Sequence, residues 1–166
     1  MASAVREAIE RNGILSLRLS LAIVFLWFGA LKFFPQASPA EDIAVDTVGF
    51  LTFGLLSPKM SLVLLGALEC GIGLGMLFHK MSRIAVPLLY FQMACTLLPL
   101  VAFPEKTWDG FLAPTLLGQY ILKNVVIIAC AIVLGAIARG GHLVTDPKVA
   151  RQAKKKEEEK IQNSVP

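Results

Sequence analysis

Four runs of about 20 mainly apolar residues take up most of the chain, and they leave it few ways to fold. They extend over about 14–34, 60–78, 84–103 and 116–137. A helix needs ~20 such residues to cross a hydrocarbon core ~30 Å thick, so each run is long enough to span a bilayer. The charge distribution agrees. Charged residues are 17% of the 166 positions, against roughly 25% in an ordinary soluble domain. Only 12 of them fall among the 120 positions from 19 to 138. That is too little charge to cover a soluble surface. The predicted fold is all-α: an integral membrane four-helix bundle, with a flank at 1–13, a transmembrane domain at 14–137 and a charged tail at 138–166.

The first run has an alternative reading as a secretory signal, with Arg6 and Arg11 ahead of it and Ala37-Ser38-Pro39-Ala40 after it. Its length and the lysine at its end, Lys32, favour a span. Orientation follows from where lysine and arginine lie. Twelve of the 16 basic residues fall on one side of a four-span chain: Arg6, Arg11 and Arg18, then Lys80 and Arg83, then seven from Arg139 onward. The opposite loops set Lys59 and Lys106 against Glu41, Asp42, Asp46, Glu105 and Asp109. Both termini are therefore expected in the cytoplasm, and the protein in the cell inner (plasma) membrane.

The two non-cytoplasmic loops carry structure of their own. Residues 38–57 open with Ser-Pro-Ala-Glu-Asp, a helix start with acids in the first turn. Ala44, Val48, Leu51 and Leu55 then recur at helical spacing, which predicts one apolar face. The expectation is a short amphipathic interfacial helix lying on the outer leaflet. Residues 104–115 offer Trp108 and Phe111 as interface anchors and suit a partial lid.

Ionisable groups inside a span cost ~2.5–3.5 kcal/mol at the helix centre on insertion scales, so each needs a reason. Four stand out: Arg18, Lys32, Glu69 and Lys123. Arg18 and Lys32 lie near span ends, where a long stem can snorkel to the interface. Glu69 is roughly 14 Å from either end of the second span, and Lys123 roughly 10 Å from the end of the fourth. Opposite charges at similar depth relieve each other's desolvation, so Glu69 is expected to pair with Lys123. Gln92 and Thr96, one helical turn apart, fall in the same layer. Gln119 and Tyr120 sit where the fourth span begins. Gly66, Gly71, Gly73 and Gly75 suit close helix packing or a pocket. Three readings stay open: a structural knot fixing helix register, a pocket for a small polar or quinone-like molecule, and a proton or ion path.

Cys70, Cys95 and Cys130 fall in three different spans with no Cys-x-x-Cys, so they read as buried free thiols. His79 and His142 lie at the cytoplasmic edge, where they cannot face each other across a haem. No metal site, catalytic triad, phosphate loop or dinucleotide fingerprint is present. The net charge of +4 comes from the flanks and gives no support for nucleic-acid binding.

Several segments resemble a known pattern. Arg18-Leu19-Ser20 followed by Leu26-Trp27-Phe28-Gly29-Ala30-Leu31-Lys32-Phe33 is similar to the first helix of the DoxX superfamily, including its DoxX-like and YkgB-type branches. Glu69-Cys70-Gly71-Ile72-Gly73 resembles its second helix, and Gly118-Gln119-Tyr120-Ile121-Leu122-Lys123-Asn124 its entry to helix four. The resemblance covers about 14–137, and the third helix carries least of it. It implies a small four-helix membrane protein in which Arg18, Lys32, Glu69 and Lys123 are the polar positions. Relatives include a quinone-reducing subunit of a thiosulfate oxidoreductase and a membrane partner in a redox-stress complex, so the fold alone does not fix the activity.

The expected function is redox-associated, with a quinone or small oxidisable molecule bound at an intramembrane polar site. Glu69 and Lys123 are the candidate catalytic pair, Glu69 accepting or donating a proton. Arg18, Lys32, Gln92, Thr96, Gln119 and Tyr120 are the candidate ligand-binding residues. Expected partners are the lipid bilayer and other membrane or membrane-associated proteins. The alternative is a non-catalytic accessory or assembly subunit of a larger membrane complex.

Overall fold

The computed structural model describes residues 2–78 and 80–139, with side chains from residue 12 onward. His79, His142 and the tail from residue 140 lie outside the described residues, as does the side-chain placement of Arg6 and Arg11. Four helical stretches are long and apolar enough to cross a membrane: Asn12–Leu31, Pro58–Leu77, Ser82–Ala102 and Leu116–Ala138. Each starts within about two residues of its expected position. The elements are α1 (Ala2–Leu31), α2 (Glu41–Leu51), α3 (Pro58–Leu77), α4 (Ser82–Leu97), α5 (Pro99–Ala102) and α6 (Pro104–Thr107). A hairpin of β1 (Trp108–Gly110) and β2 (Ala113–Pro114) leads to α7 (Leu116–Leu122) and α8 (Asn124–Ala138).

Local chemistry sets the helix starts. The Ser57 hydroxyl accepts from the Met60 amide and Pro58 takes the first helical position of α3, where its missing N–H costs nothing. The Thr115 hydroxyl caps α7 in the same way, accepting from the Gly118 amide at 3.0 Å. The third span is split into α4 and α5 at Pro99, and the fourth into α7 and α8 at Lys123. At that second break the Val126 amide reaches the Lys123 carbonyl at 3.1 Å. This is a three-residue step, tighter than the α-helical one.

Between lipid-facing helices no hydrophobic force operates, so backbone proximity and dispersion hold the bundle together. Glycine makes that proximity possible where α1 crosses α3. A Cβ at Gly29 would stand 2.9 Å from the Cys70 amide nitrogen, and one at Gly73 3.0 Å from that of Leu26. Gly75 serves the α3–α4 contact, where a Cβ would meet that of Ala85 at 2.6 Å. These glycines are used for packing; Gly71 faces open space. The helices pack in the order α1, α3, α4, α8, and the seam from α8 back to α1 is sparse. Leu21, Ala22, Ile72, Met76, Leu89 and Ala131 fill the core toward one end of the bundle.

That end is closed by two arginines acting as helix caps. Arg18 donates through Nη2 to the carbonyls of Met76 (2.9 Å) and Leu77 (3.2 Å), the last of α3. Arg83 donates through Nε to the Ala138 carbonyl at the end of α8 (3.1 Å). Both supply donors to carbonyls that have no helical partner, at the negative pole of the helix dipole.

The other end is roofed. In α2, Ile43 and Thr47 are buried and Ala44 and Val48 are half-buried beside them, while Leu51 borders the same space but stays exposed. Leu55 does not continue this face as the spacing predicted. The helix stops at Leu51, Phe53 and Gly54 take left-handed φ of 53° and 75°, and Leu55 is exposed. Trp108 is turned inward, its indole N–H donating to the Leu100 carbonyl at 2.9 Å, while Phe111 stays exposed. An ion pair joins the two halves of the roof: Lys106 Nζ lies 2.6 Å from Asp46 Oδ2 and 5.7 Å from the centre of the Phe103 ring. Phe103 meets Phe50 of α2 edge to face at 6.0 Å.

The hydrogen bond that the Lys106 ammonium donates to the Asp46 carboxylate holds its pKa above the ordinary lysine value. The clasp is thus fully present below the unfolded lysine value of about 10.4 and is lost as pH rises through the raised one. Asp46→Asn should loosen α2 and speed thiol labelling of Cys95, which lines the space beneath. The difference from wild type should persist at neutral pH and vanish once Lys106 deprotonates, as read by labelling rates with Cys70 and Cys130 replaced.

Candidate functional site

Beneath the roof lies a cavity of about 590 Å³. Its polar wall is built by three helices. Lys32 leaves the end of α1, and because a helical side chain leans toward the N-terminus of its own helix, its stem runs back into the bundle. Its Nζ stands 2.6 Å from Glu69 Oε2 and 3.4 Å from the Phe28 carbonyl. The other carboxylate oxygen, Oε1, accepts from Gln92 Nε2 at 3.1 Å. Gln92 is seated in α4, and its own carbonyl accepts from the Thr96 hydroxyl at 2.8 Å. The side chains of Lys32 and Glu69 are only 10% and 11% exposed.

The expected Glu69–Lys123 pair is therefore corrected: Glu69 pairs with Lys32. Depth alone made Lys123 a fair partner, but the glycine-mediated approach of α1 to α3 decides the matter. A Cβ at Gly66 would lie 3.2 Å from that of Lys32, so α3 carries Glu69 up against the lysine. The snorkelling read for Lys32 also fails, since its ammonium turns inward to a carboxylate.

Lys123 lies on another wall of the same cavity. It makes no ion pair among the described residues, and its Nζ sits 5.5 Å from the centre of the Tyr120 ring. Tyr120 in turn meets Phe28 edge to face across the seam between α7 and α1 (6.3 Å, 75°). Val24 and Val126 border the cavity and are exposed on the outer face of the bundle. The cavity thus opens sideways, toward lipid, through the sparse α1–α8 seam.

Of the expected site residues, Glu69, Lys123, Lys32, Gln92, Thr96 and Tyr120 all border this cavity. Arg18 and Gln119 do not. Arg18 caps α3 at the far end, and the Gln119 amide donates to the Pro114 carbonyl at 3.3 Å. Cys95, Asn124 and Thr47 line the cavity without having been singled out as binding residues. Thr47 follows Ile43 and Ala44 by one helical turn, and Asn124 adjoins Lys123, so position offered a signal for both. Cys70 packs at the α1–α3 crossing, its Sγ 4.0 Å from the Leu26 carbonyl, and all three cysteines are free thiols.

Four helices long and apolar enough to span a bilayer, with a roof over one end and a buried ion pair in the wall of the cavity beneath it, define a multi-pass helical membrane protein. The chain belongs to the DoxX family, whose pattern matches residues 13–102. The match takes in Lys32, Glu69, Gln92 and Thr96, and ends before Tyr120 and Lys123. No curated protein and no solved structure matches the chain.

Proposed function

We propose that the protein binds a quinone or similar small oxidisable molecule in the roofed cavity and serves a redox-associated role in the membrane. One observation carries this reading: polar groups from all four spans converge on a mainly apolar cavity that opens at the sparse α1–α8 seam. Such a site suits a membrane-dissolved molecule with an apolar body and a few polar atoms. Lys123 is placed to donate to a carbonyl or oxyanion, and Lys32 to hold Glu69 in position. Glu69 is the group able to accept or release a proton. We place both termini in the cytoplasm, since Arg18, Arg83 and Arg139 gather at one end of the bundle.

A second reading, an accessory subunit of a larger membrane complex, has its own support. The Lys32–Glu69–Gln92 network is closed on itself, and no buried side-chain polar atom among the described residues lacks a partner. Extraction of the protein in mild detergent separates the two. The first reading expects about one quinone per chain in the extract, and at least tenfold less from Lys123→Met at equal protein yield. A stoichiometric multi-subunit complex with no extractable quinone, and no binding of a short-chain benzoquinone, favours the second.

A further inference from the structure

At the end of the bundle opposite the roof, a second cleft of about 320 Å³ lies in the seam between α4 and α8. It is lined by Arg83, Val86, Pro87, Gly135, Ala138 and Arg139. Gly135 and Pro87 keep it open: neither projects a long side chain. A Cβ on Gly135 would already stand 3.2 Å from Val86 Cγ1 and 3.3 Å from the Tyr90 hydroxyl. Arg83 is fixed by its bond to the Ala138 carbonyl, which also quiets the negative end of α8. That bond uses one guanidinium N–H. The remaining Arg83 donors, and those of Arg139, have no partner among the described residues.

We infer that this cleft is a binding site for the phosphate group of an anionic phospholipid. Two guanidinium groups present planar forks that match phosphate oxygens, the stronger form of cation–anion recognition. The cleft sits where two helices long and apolar enough to cross a membrane begin and end, at Ser82 and Ala138. Basic pockets between spans on the cytoplasmic side, where the proposed orientation puts this end, are a recurring mode of headgroup binding. Its floor is apolar, formed by Val86, Pro87 and Ala138, and suits the glycerol and upper acyl carbons of a lipid. Free phosphate would leave that floor wet. The site is separate from the roofed cavity and independent of the redox reading.

Full-length protein in nanodiscs of phosphatidylglycerol and phosphatidylcholine tests this, with lipid retention read by native mass spectrometry. Salt at about 0.5 M screens diffuse attraction to exposed lysines. The expected result is retention of phosphatidylglycerol over phosphatidylcholine by about tenfold. Arg139→Gln, which leaves the Arg83 cap on α8 in place, should lower the preference about fivefold, and the double variant with Arg83→Gln should abolish it. Inorganic phosphate should not displace the lipid. The inference is overturned by equal retention of the two lipids, by an Arg139→Gln variant that behaves as wild type, or by displacement with inorganic phosphate alone.

Discussion

Replacing Glu69 with leucine is expected to destabilise the bundle by about 3–5 kcal/mol, because it strands the Lys32 ammonium in a nearly dry wall without its carboxylate. The loss comes from the charge left behind. Adding Lys32→Met to the same protein should therefore restore most of it, since an apolar pair of similar volume removes both desolvation costs. Unfolding by a denaturing detergent, followed by circular dichroism, gives the four stabilities of the cycle. Lys123→Met provides the contrast. It lies on another wall of the cavity, so its effect should add to that of Glu69→Leu within about 0.5 kcal/mol. Strong coupling of Glu69 to Lys123, and none to Lys32, is the outcome that would reverse the assignment.

Gly118→Val is expected to cost about 3 kcal/mol or more. A Cβ at this position would run into the Thr107 carbonyl oxygen, which is backbone and cannot rotate away. That carbonyl already accepts from the Thr115 amide at 3.0 Å, and Thr107 is fully buried. The clash must therefore push the roof segment off α7 as a unit. Overpacking of this kind typically costs ~1–3 kcal/mol and more where the neighbour is rigid. The control is Gly71→Ala, which meets nothing within 4 Å on an exposed face. It should be neutral or stabilising by up to about 1 kcal/mol, from helix propensity alone. Thermal melting in detergent reads both, and loosening of the roof should also speed Cys95 labelling in the valine variant only.

The spans were legible because length and hydropathy are local properties of the chain. Much of the polar layer was legible too: Lys32, Glu69, Gln92, Thr96 and Lys123 were each conspicuous as groups that lipid does not tolerate. Their pairing was not. It depends on which helix lies next to which, and α1 comes closest to α3 through Gly29, Gly66 and Gly73. Counting rise per residue treats a lysine at a helix end as bound for the interface. It misses that the Lys32 stem leans back toward its own N-terminus. The expected α2 face holds through Val48 and is overrun beyond it: the helix stops at Leu51, which is exposed, and the left-handed turn at Phe53 and Gly54 breaks the periodicity that Leu55 continues in the sequence. The hairpin turns at Phe111-Leu112, with Leu112 at a left-handed φ of 56°, and two apolar residues there carry no turn signal; Asp109-Gly110 beside them belongs to β1. The break at Lys123 carries no proline or glycine and left no trace in the sequence.

The roof changes how the cavity should be approached. With α2 clasped to α6 through Asp46 and Lys106, the roof covers one end of the cavity, whereas the seam between α1 and α8 is sparse. On the proposed reading, a ligand that partitions into the bilayer would reach Lys123 and Tyr120 without opening the roof. Roof variants such as Asp46→Asn should therefore change access for water-soluble thiol reagents more than occupancy by a membrane-soluble ligand.

Photoaffinity labelling with an azido-benzoquinone, followed by peptide mapping, addresses the proposed site most directly. Label should fall on peptides containing Gln92 to Thr96 and Tyr120 to Val126, and an excess of unmodified benzoquinone should remove it. Ala44→Trp, which fills the cavity from α2, should abolish it while the protein still folds. Label spread along the lipid-facing surfaces of α1 and α8, insensitive to competitor and to Ala44→Trp, would contradict a quinone site between Lys32–Glu69 and Lys123.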